Sequence, residues 1–151
     1  MEKTILSHSE AESQALARRL GARAFPGAVL ALWGDMGAGK TAFVHGLCQG
    51  MGLSDRVSSP TFALVHEHDG PIPLYHFDLY RLSDEDELES VGVEEYWYGR
   101  GVSAIEWPQQ AGSLLPAERL DVAIAITGPE SRTFTLNPRG ARYEQMMEEI
   151  E

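Results

Sequence analysis

The 151-residue sequence predicts an α/β fold with a mixed, partly parallel sheet and antiparallel hairpins, on three observations. Residues 28–33 (AVLALW) are apolar on both faces, as a central parallel strand covered by helices is. Strand-like and helix-periodic segments alternate over the first third of the chain. Later segments come instead in closely spaced strand pairs joined by turn residues.

Residues 4–6 (TIL) read as a short strand. Ser9 with Glu12 three residues on forms a capping box that opens a helix through about residue 24, closed by Pro26-Gly27. After the 28–33 strand, a glycine-rich turn leads into a helix over residues 41–51. There Phe43, Val44, Leu47, Cys48 and Met51 share one face, and Gly52 ends it. Residues 58–82 (SSPTFALVHEHDGPIPLYHFDLYRL) read as a loop, a strand, an Asp69-Gly70-Pro71 turn and a second strand, together a hairpin. Alternation puts His76 and Asp78 on one face and Tyr75 and Phe77 on the other. Ser83 is the expected N-cap of a helix whose first turn is acidic, as the helix dipole favours. Residues 101–105 (GVSAI) form a strand running into Glu106, Trp107 and Pro108. Residues 120–127 and 132–136 form an antiparallel pair split by GPES, and an acidic tail from about 137 to 151 carries a short helix from about 141. No repeat or linker divides the chain, so one domain over residues 1–151 is expected.

The formal net charge is −11, and only two of the twelve basic residues are lysines, Lys3 and Lys40. Nucleic-acid affinity rests mainly on lysine and arginine neutralising phosphates, so no direct grip on DNA is expected and any role with RNA is indirect. The lone Cys48 cannot form an intrachain bridge or a multi-thiol metal site. No secretory signal pattern and no membrane-length apolar run occur, so the expected compartment is the cytoplasm, away from any membrane.

Residues 34–41 (GDMGAGKT) match G-x-x-x-x-G-K-[ST], the phosphate-binding P-loop. Without Cβ atoms, the glycines let the turn adopt positive φ and pass close to a phosphate. Amides of Gly37, Ala38, Gly39, Lys40 and Thr41 can then point inward as an anion nest at a helix N-terminus. Lys40 is placed to reach the β- and γ-phosphates of ATP, and the Thr41 hydroxyl to ligate Mg²⁺. The strand before and the helix after supply the context, and the predicted fold is a three-layer P-loop NTPase-like one.

Such a site also needs a carboxylate near the metal, at the end of a neighbouring strand. Asp78 and Glu106 both qualify, and the residues alone leave open which is metal ligand, base or supporting partner. Thr61, in the SPT loop, is a candidate γ-phosphate sensor. His76 could orient Asp78, and Trp107 reads either as packing or as a stacking surface. Arg81 and Arg132 are the arginines considered for a finger in cis. A guanine-selective GTPase is set aside, because neither lysine lies in an Asn-Lys-x-Asp stretch. A small-molecule kinase would use the same cradle but needs an acceptor pocket and lid, and the chain has no long arginine-rich insertion. A nucleotide-regulated binding module with negligible hydrolysis is the other alternative.

Read in order, the P-loop, SPTF (59–62), YHFDLYRL (75–82) and IEWPQ (105–109) closely resemble the bacterial TsaE family, small ATPases required for threonylcarbamoyladenosine modification of tRNA. The resemblance runs from the N-terminal helix to about residue 136. It implies a Mg²⁺-dependent ATPase that works with the partner proteins TsaB and TsaD, TsaD transferring the threonylcarbamoyl group to the adenosine beside the anticodon. By the same resemblance, residues 36–41 would hold the phosphates, Thr41 and Glu106 would bind Mg²⁺, and Asp78 would be a functional acid near the metal. Thr61 would belong to a switch-like loop and Trp107 would be functional. A residue near Ser9 and the loop around Arg132 would lie near the nucleotide base.

Overall fold

The computed structural model describes residues 1–53, 57–62 (backbone), 64–82, 84–148 and 150. Along the chain run β1 (Lys3–Ser7), α1 (Glu10–Ala22), β2 (Val29–Trp33), α2 (Lys40–Gly50), β3 (Val57–Phe62), β4 (Val65–His68) and β5 (Leu74–Asp78). Then come α3 (Glu85–Val91), α4 (Val93–Trp97), β6 (Val102–Glu106), a 3₁₀ segment (Pro108–Leu114), β7 (Arg119–Ile126), β8 (Arg132–Arg139) and α5 (Ala141–Met147). The strands form one mixed sheet in the order β1-β8-β7-β2-β6-β5-β4-β3. Its centre is parallel: β2 pairs with both β6 and β7, and β5 pairs with β6. Its edges are antiparallel, with β7–β8–β1 on one side and β5–β4–β3 on the other.

Period-2 alternation divides the core into two layers. Leu30, Leu32, Ala104 and Val122 pack with Leu16 and Leu20 of α1, with Phe43 and Leu47 of α2, and with Tyr143, Met146 and Met147 of α5. Val29, Phe77 and Ile105 point the other way, against Leu88, Val93 and Trp97 of α3 and α4 and Ala111 of the 3₁₀ segment. The expected faces of β5 hold, since Phe77 packs on Trp97 and Tyr75 on Tyr96 while His76 turns to the α2 side.

Four local readings change. The SSP stretch expected as a loop lies within β3, an edge strand whose register with β4 shifts between Ser58 and Phe62; an edge strand can hold Pro60 because one row of its amides need not pair. The helix expected after Ser83 starts one residue later, with Asp84 as N-cap accepting from the Glu87 N–H; Ser83 lies outside the described residues. The C-terminal segment is built into the core: β8 continues to Arg139, and the Tyr143 hydroxyl accepts from the Val29 N–H at 2.8 Å. The Ser9 cap is present, with Ser9 Oγ accepting from Glu12 N–H, but the Glu12 carboxylate accepts from the His8 N–H.

Candidate functional site

β2, β5 and β6 run parallel, so their C-terminal ends open on one crevice, where α/β sheets bind ligands. In register, Asp78 stands beside Glu106 and Glu106 beside Leu32, just before the glycine turn. The turn enters α2 through Gly37 (φ 86°) and Gly39 (φ 101°), both left-handed. A Cβ at either would meet nothing within 4 Å, so what requires glycine here is the backbone conformation. Gly39 caps α2 without a side-chain hydrogen bond, leaving the helix N-terminus to the cleft.

Lys40 is 5% exposed. Its Nζ donates to the Gly34 carbonyl at 2.5 Å and sits 3.5 Å from the centre of the Trp107 ring. Burial lowers the pKa of this ammonium below the ordinary lysine value, against the upward pull of Glu106, Asp78 and Asp35. Glu106, 4% exposed, anchors the polar cluster. Its Oε2 accepts from Thr41 Oγ1 at 2.9 Å and lies 2.6 Å from His76 Nε2, which donates because an ionised carboxylate can only accept. Burial pushes the Glu106 pKa up; His76, Thr41 and Lys40 together outweigh it and hold the carboxyl below its usual value. The result is an ionised buried carboxylate fixed against the hydroxyl at the start of α2.

Asp78 is exposed at the mouth of the cleft, where its Oδ1 accepts from the Tyr80 N–H at 3.1 Å. Tyr80 in turn meets the Trp107 ring, with centroids 5.0 Å apart. Trp107 has φ 58°, the one positive φ outside glycine among the described residues. It follows directly on Glu106, and this turn of the backbone carries its ring over Lys40. Met36, Gly37, Gly39, Lys40, Thr41, Asp78, Tyr80, Glu106 and Trp107 line one cleft. A second hollow adjoins it across Gly39, bounded by Glu10, Ser13, Gln14, Phe43, Glu130 and Arg132.

A family model described as threonylcarbamoyl adenosine biosynthesis protein TsaE matches residues 7–134. The chain belongs to the TsaE family. It is similar to the tRNA threonylcarbamoyladenosine biosynthesis protein TsaE of Bacillus subtilis, 45% identical over 140 residues that cover 92% of this chain and 87% of that one. The corresponding protein of Treponema pallidum is 37% identical over 110 residues, covering 73% of this chain and 82% of its own. Among solved structures, Bacillus subtilis YdiB superimposes with a TM-score of 0.83 at 36% identity, covering 99% of this chain and 94% of that one.

Within this TsaE-family chain, the P-loop, YHFDLYRL and IEWPQ segments meet at the cleft. His76 is oriented differently from the expectation: its hydrogen bond goes to Glu106, not to Asp78. Ser9 caps α1, and it is its neighbours Glu10 and Ser13 that line the second hollow with Arg132. The Thr61 side chain lies outside the described residues. Tyr80 was not foreseen, although its place two residues after Asp78 in the same motif was a usable signal.

Proposed function

We propose that the chain is a Mg²⁺-dependent ATPase acting in threonylcarbamoyladenosine modification of tRNA, working with a TsaB–TsaD complex and not as the transferase. The observation that carries this is the meeting of Lys40, Thr41, Glu106 and Asp78 at the head of α2, in a chain of the TsaE family. The Gly37 amide, the amides from Gly39 to Thr41 and the Lys40 ammonium bind the phosphates. Thr41 and Glu106, with Asp78 beside them, offer the hard oxygen donors that suit Mg²⁺, and these residues would hold it together with phosphate oxygens and water. The chemistry the ion supplies when bound is neutralisation of charge on the β- and γ-phosphates.

Glu106 keeps its charge and holds Thr41 in place, while the exposed Asp78 orients a water at the cleft mouth and takes its proton. That water oxygen bonds to the γ-phosphorus as the bond to the β,γ-bridging oxygen breaks and ADP leaves. Thr61 supplies a γ-phosphate sensor, Trp107 holds Lys40 in line, and the base occupies the hollow near Ser9 and Arg132. The Arg132 guanidinium is committed to backbone carbonyls and the exposed Arg81 does not line the cleft, so neither provides a finger in cis and hydrolysis is slow until the partner complex adds what is missing. No helix among the described residues is long and apolar enough to cross a membrane, and a cytoplasmic setting suits a tRNA-modifying partner.

The test is reconstitution of multiple-turnover tRNA modification with and without this protein, using wild type and Lys40→Ala. Modification should require the wild type and fail with the variant. Equal modification without the protein would refute the proposed role even if ATP binds.

A further inference from the structure

Arg132 opens β8 and lines the second hollow, and it is held by backbone carbonyls. Its Nε donates to the Ala38 carbonyl at 2.9 Å and its Nη2 reaches the Gly37 carbonyl at 3.4 Å. Its Nη1 donates to Gly128 at 3.1 Å and to Ser131 at 2.8 Å, both in the β7–β8 turn. Four of the five N–H donors of a guanidinium are thereby occupied, which leaves little capacity for a phosphate or a base. The fork joins two loops far apart in sequence.

This arrangement has a consequence for the cradle. In a trans peptide the C=O and N–H point in opposite directions, and no cis peptide bond occurs among the described residues. Holding the Ala38 carbonyl toward Arg132 therefore turns the Gly39 N–H away from it. The neighbouring Ala38 N–H is already used within the turn, donating to the Asp35 carbonyl at 3.0 Å. Gly39, at φ 101°, has a wide choice of backbone conformations and no side-chain cap to select one.

We infer that Arg132 is a positioning residue of the phosphate cradle: by fixing the Ala38 carbonyl it aims the Gly39 N–H at a bound phosphate. This rests on the phosphate-binding reading of the cleft and departs from a role for Arg132 in direct contact with the base. Lysine would keep the charge but cannot span two loops with a planar fork.

The test is calorimetric titration of wild type, Arg132→Ala and Arg132→Lys with ATP and with inorganic tripolyphosphate, which has no base. Both ligands should bind wild type, both should weaken by a similar factor of about ten in Arg132→Ala, and Arg132→Lys should not restore them. Restoration by lysine would overturn the inference in favour of a simple charge effect. Weakening of ATP alone, with tripolyphosphate unchanged, would overturn it in favour of a base contact. Amide NMR of the wild type gives a readout that needs no variant: the Gly39 N–H should shift strongly with tripolyphosphate, and an unmoved Gly39 signal in a protein that binds would overturn the inference. If wild type binds neither ligand, the phosphate-binding reading itself fails.

Discussion

Replacing Glu106 by glutamine keeps the shape of the side chain and removes its charge, at the point where Thr41 and His76 meet on one oxygen. Hydrogen bonds to charged acceptors contribute about 1.5–3 kcal/mol, and neutral ones about half of that. The amide oxygen of glutamine can still accept, so the loss is the charge-assisted part of two bonds, less the relief from burying a charge. We expect a net loss of about 1–2 kcal/mol at pH 7, a fall in Tm of about 2–8 °C for a chain of this size. The pH dependence has a definite sign. The folded pKa of Glu106 lies below its unfolded value, so its contribution is fully present above the unfolded pKa of about 4.3 and disappears as pH falls through the folded pKa. Melts of wild type and Glu106→Gln across that range should therefore differ at pH 7 and converge in acid. In parallel, Mg²⁺ should tighten ATP binding to wild type and have little effect on the variant. Equal Mg²⁺ enhancement in both, with a Tm difference that does not shrink in acid, would refute the assignment of Glu106 as an ionised carboxylate serving the metal.

Lys40→Met retains the stem and removes a buried charge. Its melt without nucleotide should stay within about 1 kcal/mol of wild type, while ATP should no longer raise its Tm. Gly39→Ala adds a Cβ with open space around it, so any cost comes from the left-handed backbone. A loss of about 1–2 kcal/mol in denaturant unfolding together with weaker tripolyphosphate binding is the expected result, and unchanged values for both would show that the conformation is not required. Tyr143→Phe leaves the buried Val29 N–H without its partner and should cost about 1–3 kcal/mol in the same assay, whereas a peripheral tail would give no change.

The P-loop was legible because its chemistry is contiguous: glycines, Lys40 and Thr41 sit in one octapeptide between a strand and a helix. Asp78 and Glu106 were legible as strand ends, but their pairing depends on the parallel β5–β6 register, which alternation along one strand does not reveal. The same register sends His76 to Glu106. Trp107 was ambiguous in sequence because its place over Lys40 comes from a positive φ that an Ile-Glu-Trp-Pro string does not announce. Arg132 acts through carbonyls 94 and 95 residues away, a contact with no sequence pattern. The C-terminal segment read as an acidic tail because its apolar residues, Tyr143, Met146, Met147 and Ile150, are few among the glutamates; only packing against the sheet shows that they complete the core.

Phosphate release from Mg·ATP, followed for wild type and Lys40→Ala with and without a TsaB–TsaD complex, tests the central claim most directly. Slow release by wild type alone, a clear acceleration by the complex and no release by the variant are expected. Identical turnover with and without the complex, or release that survives loss of Lys40, would contradict it.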